Sequence, residues 1–309
     1  MFGRRACLLG LVLCLSLLAG GCASQRSTDG EPASASTQTK SLIDAPFRRL
    51  PERSYTPTDW PESLAARVYL PDTPGDARRP AALLVHGGGW QRRSPEDMAP
   101  IAERLAAKGF VVANIAYRFA PEYRFPAQLH DLQVAMAWLH DHADDWRIDT
   151  ERIVGVGYSS GAHLVSLLSV QRDGAPLDTP YGGDATRLAA VVAGGLPSDL
   201  LKFDDGRLVV EFIGGTRAEK PEAYRLASPA RQVTPDTPPH FFFHGGVDGL
   251  VPVDHATDMY DRLAEAGVPA ELYLQRLRGH FTAFLTRNGA MDAALAFLDE
   301  QLASLKREE

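Results

Sequence analysis

The sequence predicts an α/β fold in which helices flank a mostly parallel central sheet. Apolar stretches of strand length alternate with longer segments of helical periodicity from about residue 65 to the end of the 309-residue chain. Regular alternation of this kind is typical of parallel sheets that are covered on both faces. Hydrophobic residues make up 45% of the chain, which is enough apolar material for a large core. Sites in such sheets form at the carboxyl ends of strands, so functional side chains are expected directly after strands.

The first 21 residues have the pattern of an export signal. Arg4 and Arg5 precede an apolar run, residues 6–19, that is too short to span a bilayer. The run ends in LAGGC and resembles the bacterial lipoprotein signal, in which the cysteine, here Cys22, is lipidated and becomes the mature N-terminus. Ala19 stands where that family usually has leucine, and the alternative is an ordinary secretory peptide that is cut nearby. Residues 1–21 are therefore predicted to be a signal peptide.

The second segment, residues 22–41, is predicted to be the lipidated cysteine followed by a flexible tether, because its residues are small and polar. The resemblance to lipoproteins, with Ala23 after the cysteine, implies anchoring to an outer membrane on the periplasmic side. Membrane attachment is expected through the lipid only, and without lipidation the protein would be soluble in the periplasm or secreted. One domain is predicted over residues 42–309. Once the signal is removed Cys22 is the only cysteine, so this domain has no internal disulfide.

Seven strands are predicted from short apolar runs, each of which is flanked by residues typical of turns. They are Ala65–Leu70, Ala81–Val85, Val111–Ala116, Ile153–Val156, Leu188–Val192, Pro239–Phe243 and Glu271–Leu274. Five helices are predicted from apolar residues that recur every three or four positions. They are Pro95–Lys108, Ala127–His142, Ser160–Gln171, Val253–Ala266 and Ala290–Leu305. Because only about twenty residues lie between the tether and the first strand, no large N-terminal cap is expected.

A glycine-flanked serine follows the fourth predicted strand. The stretch IVGVGYSSGAHL contains G-x-S-x-G in one frame only, with Gly157, Ser159 and Gly161. Residues without a Cβ allow a strand and a helix to meet in a sharp turn that exposes the serine hydroxyl. Ser159 is therefore predicted to be a nucleophile, and the alternative is a flexible turn without chemistry.

A serine hydroxyl needs a base that removes its proton and a group that orients the base. Asp248 follows the predicted strand Pro239–Phe243, and His280 follows the predicted strand Glu271–Leu274. The chain order Ser, Asp, His is the order expected when a G-x-S-x-G turn supplies the nucleophile. The pattern predicts a triad of Ser159, Asp248 and His280, although Asp254 is a competing acid.

The glycine-rich stretch LLVHGGGW, residues 83–90, follows the second predicted strand. Backbone N–H groups that point inward from such a loop stabilise the oxyanion of a tetrahedral intermediate, by roughly 3 to 4 kcal/mol per donor. The predicted donors are Gly88, Gly89 and Ser160, and the predicted substrate-contacting side chains are Trp90 and Tyr158. A phosphate loop is the rival interpretation, but the stretch has neither the G-x-x-x-x-G-K-[ST] nor the G-x-G-x-x-G pattern.

Charge and histidine spacing limit the other function classes. The net charge of −7 and the lack of a Lys/Arg block argue against a nucleic-acid partner. The histidines lack metal-ligand spacing such as H-E-x-x-H, so neither a metal nor another cofactor is expected.

Five segments together resemble α/β-hydrolase esterases of the hormone-sensitive-lipase-like and feruloyl/acetyl esterase groups. They are HGGGW, YRFAPEYRFPAQLHDLQVAMAWL, RIDTERIVGVGYSSGAHL, HGGVDGLVP and RGHF. The resemblance covers about residue 65 to the end. It implies an α/β-hydrolase fold and hydrolysis of carboxylic esters through an acyl-enzyme on Ser159, with Asp248 and His280 as partners. It further implies short-chain or aryl esters, of acetyl or feruloyl type, on small molecules or polysaccharides. Asp131 is expected to be structural, and Ser160 stands where the family often has alanine.

Two other function classes stay open at this point. The same triad serves amidases and peptidases, and HGGGW also resembles the H-G-G-x-W of arylformamidases. A non-catalytic binding protein that kept the fold is the third class. Residues 194–239, the longest stretch between strands, are expected to supply part of the substrate wall, including Asp199 and Phe212.

Overall fold

A computed structural model describes residues 23–30, 45–72 and 75–305 of the chain. Ten strands of these residues form one sheet. They are β1 (Ala23–Ser27), β2 (Phe47–Arg49), β3 (Arg53–Ser54), β4 (Ala65–Pro71), β5 (Arg79–Val85), β6 (Val111–Ile115), β7 (Ile148–Tyr158), β8 (Ala190–Gly194), β9 (His240–Gly245) and β10 (Ala270–Gln275).

Helices connect most of the strands. They are α1 (Ala99–Ala107), α2 (Ala127–Asp141), α3 (Ala143–Trp146), α4 (Ser160–Ser169), α5 (Arg207–Ile213), α6 (Pro221–Leu226), α7 (Asp254–Glu265), α8 (His280–Leu285) and α9 (Asn288–Leu305). Four short 3₁₀ turns lie at Pro95–Met98, Asp184–Thr186, Leu200–Lys202 and Pro229–Arg231. None of the helices in the described ranges is long and apolar enough to span a bilayer.

The strand order is β1-β10-β9-β8-β7-β5-β6-β4-β2, and β3 also pairs with β4. The five pairs from β10 to β6 are parallel. The pairs that involve β1, β2, β3 and β4 with their neighbours are antiparallel. A mostly parallel sheet is therefore confirmed, with antiparallel strands at both edges.

Alternating side chains of the central strands feed two cores. On β5, Leu83 and Val85 enter one core, which is shared with α2, α4 and α7. Ala82 and Leu84 enter the other, which is shared with α1 and α9. Because successive strand residues point to opposite faces, a strand that is apolar throughout is buried on both sides. Helices accordingly cover both faces of the sheet, as the alternation in the sequence predicts.

The predicted strands and helices are confirmed to within two residues at their ends, with two exceptions. Strand β7 begins at Ile148 rather than Ile153, because its first part is polar and pairs with β5 only across a register shift. The predicted helix Pro95–Lys108 is divided into a 3₁₀ turn and α1. Pro100, in the first turn of α1, has no N–H to donate, and its ring obstructs the carbonyl four residues earlier. The α-helix therefore begins at Ala99 and does not continue back through the 3₁₀ turn.

The prediction of a flexible tether from residue 23 onward is wrong for residues 23–27. These residues form edge strand β1, which pairs antiparallel with β10 from Ala23 opposite Gln275 to Ser27 opposite Glu271. Gln25 Nε2 also donates to Glu271 Oε2 at 2.6 Å. An edge strand is held by main-chain hydrogen bonds, so polar residues form it without the apolar alternation that a sequence reading requires. Residues 1–22, with the predicted signal and Cys22, and residues 31–44 lie outside the described ranges.

The segment that precedes β4 is where a large N-terminal cap would lie, and no such cap is expected from the sequence. Residues 45–64 contribute the short strands β2 and β3, both antiparallel to β4. Within the described residues this segment extends the sheet edge and contains no helix. The edge it extends is the one opposite β10, far from the end of the sheet where β8, β9 and β10 lie side by side.

Candidate active site

Ser159 lies in a tight turn between β7 and α4. Its backbone has φ 55° and ψ −122°, a conformation that a residue with a Cβ rarely adopts and that persists only where the surroundings enforce it. A Cβ on Gly157 would lie 2.4 Å from the carbonyl carbon of Gly161, and a Cβ on Gly161 would lie 2.1 Å from the oxygen of Val85. Both flanking glycines are therefore required because the backbones approach closely, as the G-x-S-x-G pattern predicts.

The three predicted triad residues lie in hydrogen-bond contact. His280 Nε2 is 2.9 Å from Ser159 Oγ. His280 Nδ1 is 2.7 Å from Asp248 Oδ2. Each residue follows a different strand, β7, β9 or β10, so the parallel order of the sheet brings them to one edge.

Asp248 is held as an oriented carboxylate. Its Oδ1 accepts from the N–H groups of Leu250 and Val251, each at 2.9 Å, while Oδ2 faces His280. Burial alone would raise the pKa of Asp248, but the hydrogen bonds from His280, Val251 and Leu250 outweigh it and the pKa is lowered. The carboxylate is therefore charged at neutral pH and fixes the imidazole with Nδ1–H toward itself and Nε2 toward the serine.

The competing acid, Asp254, does not reach the histidine. It opens α7, its side chain is half exposed, and it pairs with Lys202 Nζ at 3.0 Å. The same ammonium contacts Asp258 at 2.6 Å, so Asp254 belongs to a surface ion-pair group. The geometry favours Asp248 over Asp254 as the orienting acid.

Asp248→Asn should lower kcat by about 10⁴-fold, because an amide in place of the carboxylate favours the wrong imidazole tautomer and cannot stabilise the imidazolium. Steady-state kinetics on a soluble ester measure the effect. Asp254→Asn is the matched control, and its kcat should stay within about threefold of the parent, since its ion pair is solvent-exposed. A larger loss from Asp254→Asn than from Asp248→Asn would contradict the assignment.

The glycine loop after β5 lies against the nucleophile turn. Gly88 and Gly89 have φ of 127° and 65°, which turn the backbone in a way that favours glycine. A Cβ on Gly87 would lie 2.9 Å from the carbonyl oxygen of Tyr158, so the loop approaches the turn closely. In the described part of the chain, neither Gly88 nor Gly89 donates a backbone hydrogen bond. Their N–H groups, with that of Ser160 in the first turn of α4, are thus available to an oxyanion.

The side chain of Ser160 joins the two loops. Its Oγ lies 3.2 Å from the Tyr117 hydroxyl, which in turn donates to the His86 carbonyl oxygen at 3.2 Å. The rings of Tyr117 and His86 stack with centroids 4.6 Å apart. Ser160 stands where the resembling family often has alanine. Its hydroxyl connects the nucleophile turn to the glycine loop after β5.

Trp90 and Tyr158, the predicted substrate-contacting residues, both border the cavity but are engaged inside the protein. Trp90 is buried, its indole N–H donates to His163 Nδ1 at 3.2 Å, and its ring stacks on Phe212. Burial lowers the pKa of His163 to about 4, so this histidine is neutral at neutral pH and has a packing role. The Tyr158 hydroxyl donates to the backbone oxygen of His280 at 2.5 Å and so helps to place the base.

The triad opens into a cavity of about 610 Å³. Its lining includes Ser159, His280 and the three loop glycines. Most of the other side chains are apolar, and the majority of these come from residues 203–209, from the loop after β9 and from α8. These are Phe203, Leu208, Val209, Leu250, Val251, Phe281, Phe284 and Leu285, and Met98 and Pro197 add to them.

The stretch 194–239 supplies one cavity wall, although not through the two side chains the sequence suggested. Asp199 is buried and pairs with Arg231 at 2.9 Å, and Phe212 is fully buried beneath Trp90. Both are structural. Leu208 and Val209, one turn earlier on α5, face the cavity instead. Leu208 and Val209 lie four and three residues before Phe212 and so share its side of α5, and helical periodicity alone therefore does not tell which of the three reaches the cavity.

Other polar groups in the site region have structural roles. Asp131 is buried and accepts from the Arg118 guanidinium at 2.8 Å and from the Trp60 indole at 2.9 Å, which agrees with the expected structural role. Among the residues that the structure describes, no three His, Cys, Asp or Glu side chains form a group that could hold a metal ion.

Comparison with known proteins shows the family to which the chain is similar. The BD-FAE family model matches residues 67–263, more than half of the chain. Esterase LipC of Mycobacterium tuberculosis is 31% identical over 193 residues, which cover 60% of this chain and 48% of that protein. The chain spans about half the length of the first curated relatives it matches.

Solved structures share the fold. A truncated carbohydrate esterase from gut microbiota superposes with a TM-score of 0.72 at 24% identity, over 84% of this chain and 97% of that one. A thermophilic esterase from Thermogutta terrifontis with bound propionate superposes with a TM-score of 0.68 at 24% identity, over 86% and 96%. At this level of identity the likeness concerns the fold, which is that of the α/β-hydrolases.

Proposed function

The chain belongs to the BD-FAE family, and on that premise we propose that it is a serine carboxylic ester hydrolase. One observation carries the proposal, namely the continuous hydrogen-bonded series from Asp248 through His280 to Ser159 at the floor of an apolar cavity. A charged carboxylate, an oriented imidazole and a strained serine that borders the cavity are together the requirements for acyl transfer.

The proposed reaction has two halves. His280 Nε2 takes the proton of Ser159 Oγ as that oxygen bonds to the ester carbonyl carbon. The carbonyl oxygen becomes an oxyanion that the N–H groups of Gly88, Gly89 and Ser160 stabilise. The C–O bond to the alcohol then breaks, His280 gives its proton to the departing alcohol, and an acyl-enzyme remains. Water, deprotonated by His280, repeats the attack and releases the acid and free Ser159.

The finer proposal concerns the substrate, for which we infer short-chain or aryl esters, of acetyl or feruloyl type, carried on small molecules or on polysaccharides. A cavity of about 610 Å³ with apolar walls suits a small acyl or aryl group better than an extended polar chain. Relatives support this choice. The ethyl acetate hydrolase of Pseudomonas putida is 36% identical over 111 residues, 35% of this chain.

A matched panel of p-nitrophenyl esters and p-nitroanilides tests the proposal. We expect hydrolysis of the acetyl, butyryl and feruloyl esters, with kcat/KM at least about 10³-fold above that of the anilide with the same acyl group, since an amide is intrinsically the harder bond. An anilide or N-formyl aromatic amine hydrolysed faster than the ester would make the protein an amidase or arylformamidase. No turnover of any substrate by folded protein would favour a binding protein.

For the location of the protein we propose export and lipidation of Cys22, with the domain on the periplasmic side of the outer membrane. The support is the pattern of residues 1–22, an arginine pair, a short apolar run and a cysteine after small residues. Fractionation of cells that carry the parent chain or Cys22→Ala tests this. The parent should sediment with membranes, and a parent chain found wholly in the periplasmic fluid would contradict the proposal.

A further inference from the structure

Edge strand β1 brings the N-terminal end of the described chain to the active-site side of the sheet. Ala23 pairs with Gln275, the last residue of β10, and the catalytic His280 follows five residues later. The first described residue, Ala23, therefore lies near the loop that carries His280, and in the sequence it directly follows the predicted lipidation site.

The same edge carries most of the exposed apolar surface. Among the described residues, seven large apolar side chains are more than a third exposed, and five of them lie here. These five, the apolar rim, are Val247, Leu250, Leu277, Phe281 and Leu285, with exposed fractions of 62%, 47%, 71%, 64% and 73%.

The members of the apolar rim form one surface. The Val247 N–H donates to the Arg278 carbonyl oxygen at 3.1 Å, which joins the loop after β9 to the loop after β10. Phe281 and Leu285 are four residues apart on α8 and so share one helix face. Leu250, Phe281 and Leu285 also line the cavity, so the rim borders the cavity mouth.

Cationic side chains accompany the rim on a chain whose net charge is −7. Arg276 and Arg278 flank Leu277 and are exposed, and within the described ranges neither makes an ion pair with a carboxylate. Arg92 and Arg93 also line the cavity, where Arg93 pairs with Asp97 at 3.7 Å. Apolar side chains that insert at the headgroup level, surrounded by arginines, are the pattern of proteins that rest on anionic lipid surfaces.

We propose that the apolar rim rests on the surface of an anionic phospholipid bilayer, so that the cavity mouth faces the membrane. This contact is made by the domain itself, in addition to the proposed lipid on Cys22. It goes beyond the expectation that the protein is attached to the membrane through the lipid alone. Contiguous exposed apolar surface at a cavity mouth marks an interaction site. The position of Ala23 at this edge, directly after the predicted lipidation site, and the arginines favour a bilayer as the partner. The inference does not depend on ester hydrolysis.

Vesicle co-sedimentation tests the proposal with the chain from residue 22 onward carrying Cys22→Ala, so that no acyl group contributes. We expect it to bind vesicles that contain phosphatidylglycerol, and to bind pure phosphatidylcholine vesicles more weakly. Leu277→Ser/Phe281→Ser should lower the partition coefficient at least about fivefold, because binding scales with the apolar area that enters the interface. Arg276→Gln/Arg278→Gln should lower binding to the anionic vesicles alone.

Two controls make the result decisive. Leu305→Ser removes a leucine that is 37% exposed at the far end of α9, about 25 Å of helix from Asn288, and should leave binding unchanged. Leu277→Ser alone lies outside the cavity lining, so it should keep its hydrolysis of a soluble ester while losing vesicle affinity. Equal binding by the parent and both rim variants would overturn the proposal. The proposal would also be overturned if the parent did not bind vesicles but formed a dimer, and Leu277→Ser dissociated that dimer. The apolar rim would then be a protein interface.

Discussion

Ser159→Ala should lower kcat toward soluble esters by about 10⁴- to 10⁶-fold, because no other group at this position can form the acyl-enzyme. The fold should be unaffected, since the residue borders the cavity and, among the described residues, its hydroxyl has a hydrogen-bond contact only with His280 Nε2, at 2.9 Å. Alanine can hold the strained backbone of the turn as serine does. Steady-state kinetics give the loss, and thermal unfolding of the variant shows whether the structure is intact.

Ser160→Ala is the matched control, because it removes a hydroxyl from the adjacent position. Its backbone N–H remains, and only the contact with Tyr117 is lost, so kcat should fall by no more than about tenfold. Similar losses from the two variants, or tens of per cent of activity in Ser159→Ala, would mean that the nucleophile is misassigned.

His280→Ala should be as severe as Ser159→Ala, about 10⁴- to 10⁶-fold in kcat, because the serine proton then has no acceptor within reach. The imidazole is the only described side chain that contacts both Ser159 Oγ and Asp248 Oδ2. The loss should appear in kcat with little change in KM, since the ring takes part in proton transfer and the apolar walls bind the substrate.

The double variant Ser159→Ala/His280→Ala separates a joint role from two independent ones. Residues that act as one unit lose nothing further when the second is removed, so the double variant should match either single variant. Losses that multiply would show that His280 acts elsewhere, and a single His280→Ala variant with near-parent kcat would contradict the base assignment.

The catalytic part of the site could be predicted from the sequence because its signals are local. Glycines at fixed spacing around Ser159 report a close approach of backbones, and the places of Asp248 and His280 after strands follow from the alternation of elements. A parallel sheet then brings such positions to one edge whatever the lengths of the connections. The geometry of the triad follows from these three facts.

Other features depend on contacts between distant segments. Strand β1 is polar, and only its pairing with β10, some 250 residues later, makes it a strand. Trp90 beside a glycine loop suggests substrate contact, whereas its stacking on Phe212 reveals a packing role. The exposure of Phe281 and Leu285 likewise could not be predicted from the sequence, because apolar residues on a helix usually face a core.

The account rests on Ser159 as the residue that carries the acyl group, and labelling with a fluorophosphonate tests it most directly. The reagent bonds covalently to an activated serine, and peptide mass spectrometry locates the adduct. We expect one phosphonyl group per chain, on Ser159, with activity lost in proportion to labelling, and no adduct in Ser159→Ala or His280→Ala. An adduct on Ser160, or full activity in fully labelled protein, would contradict the account.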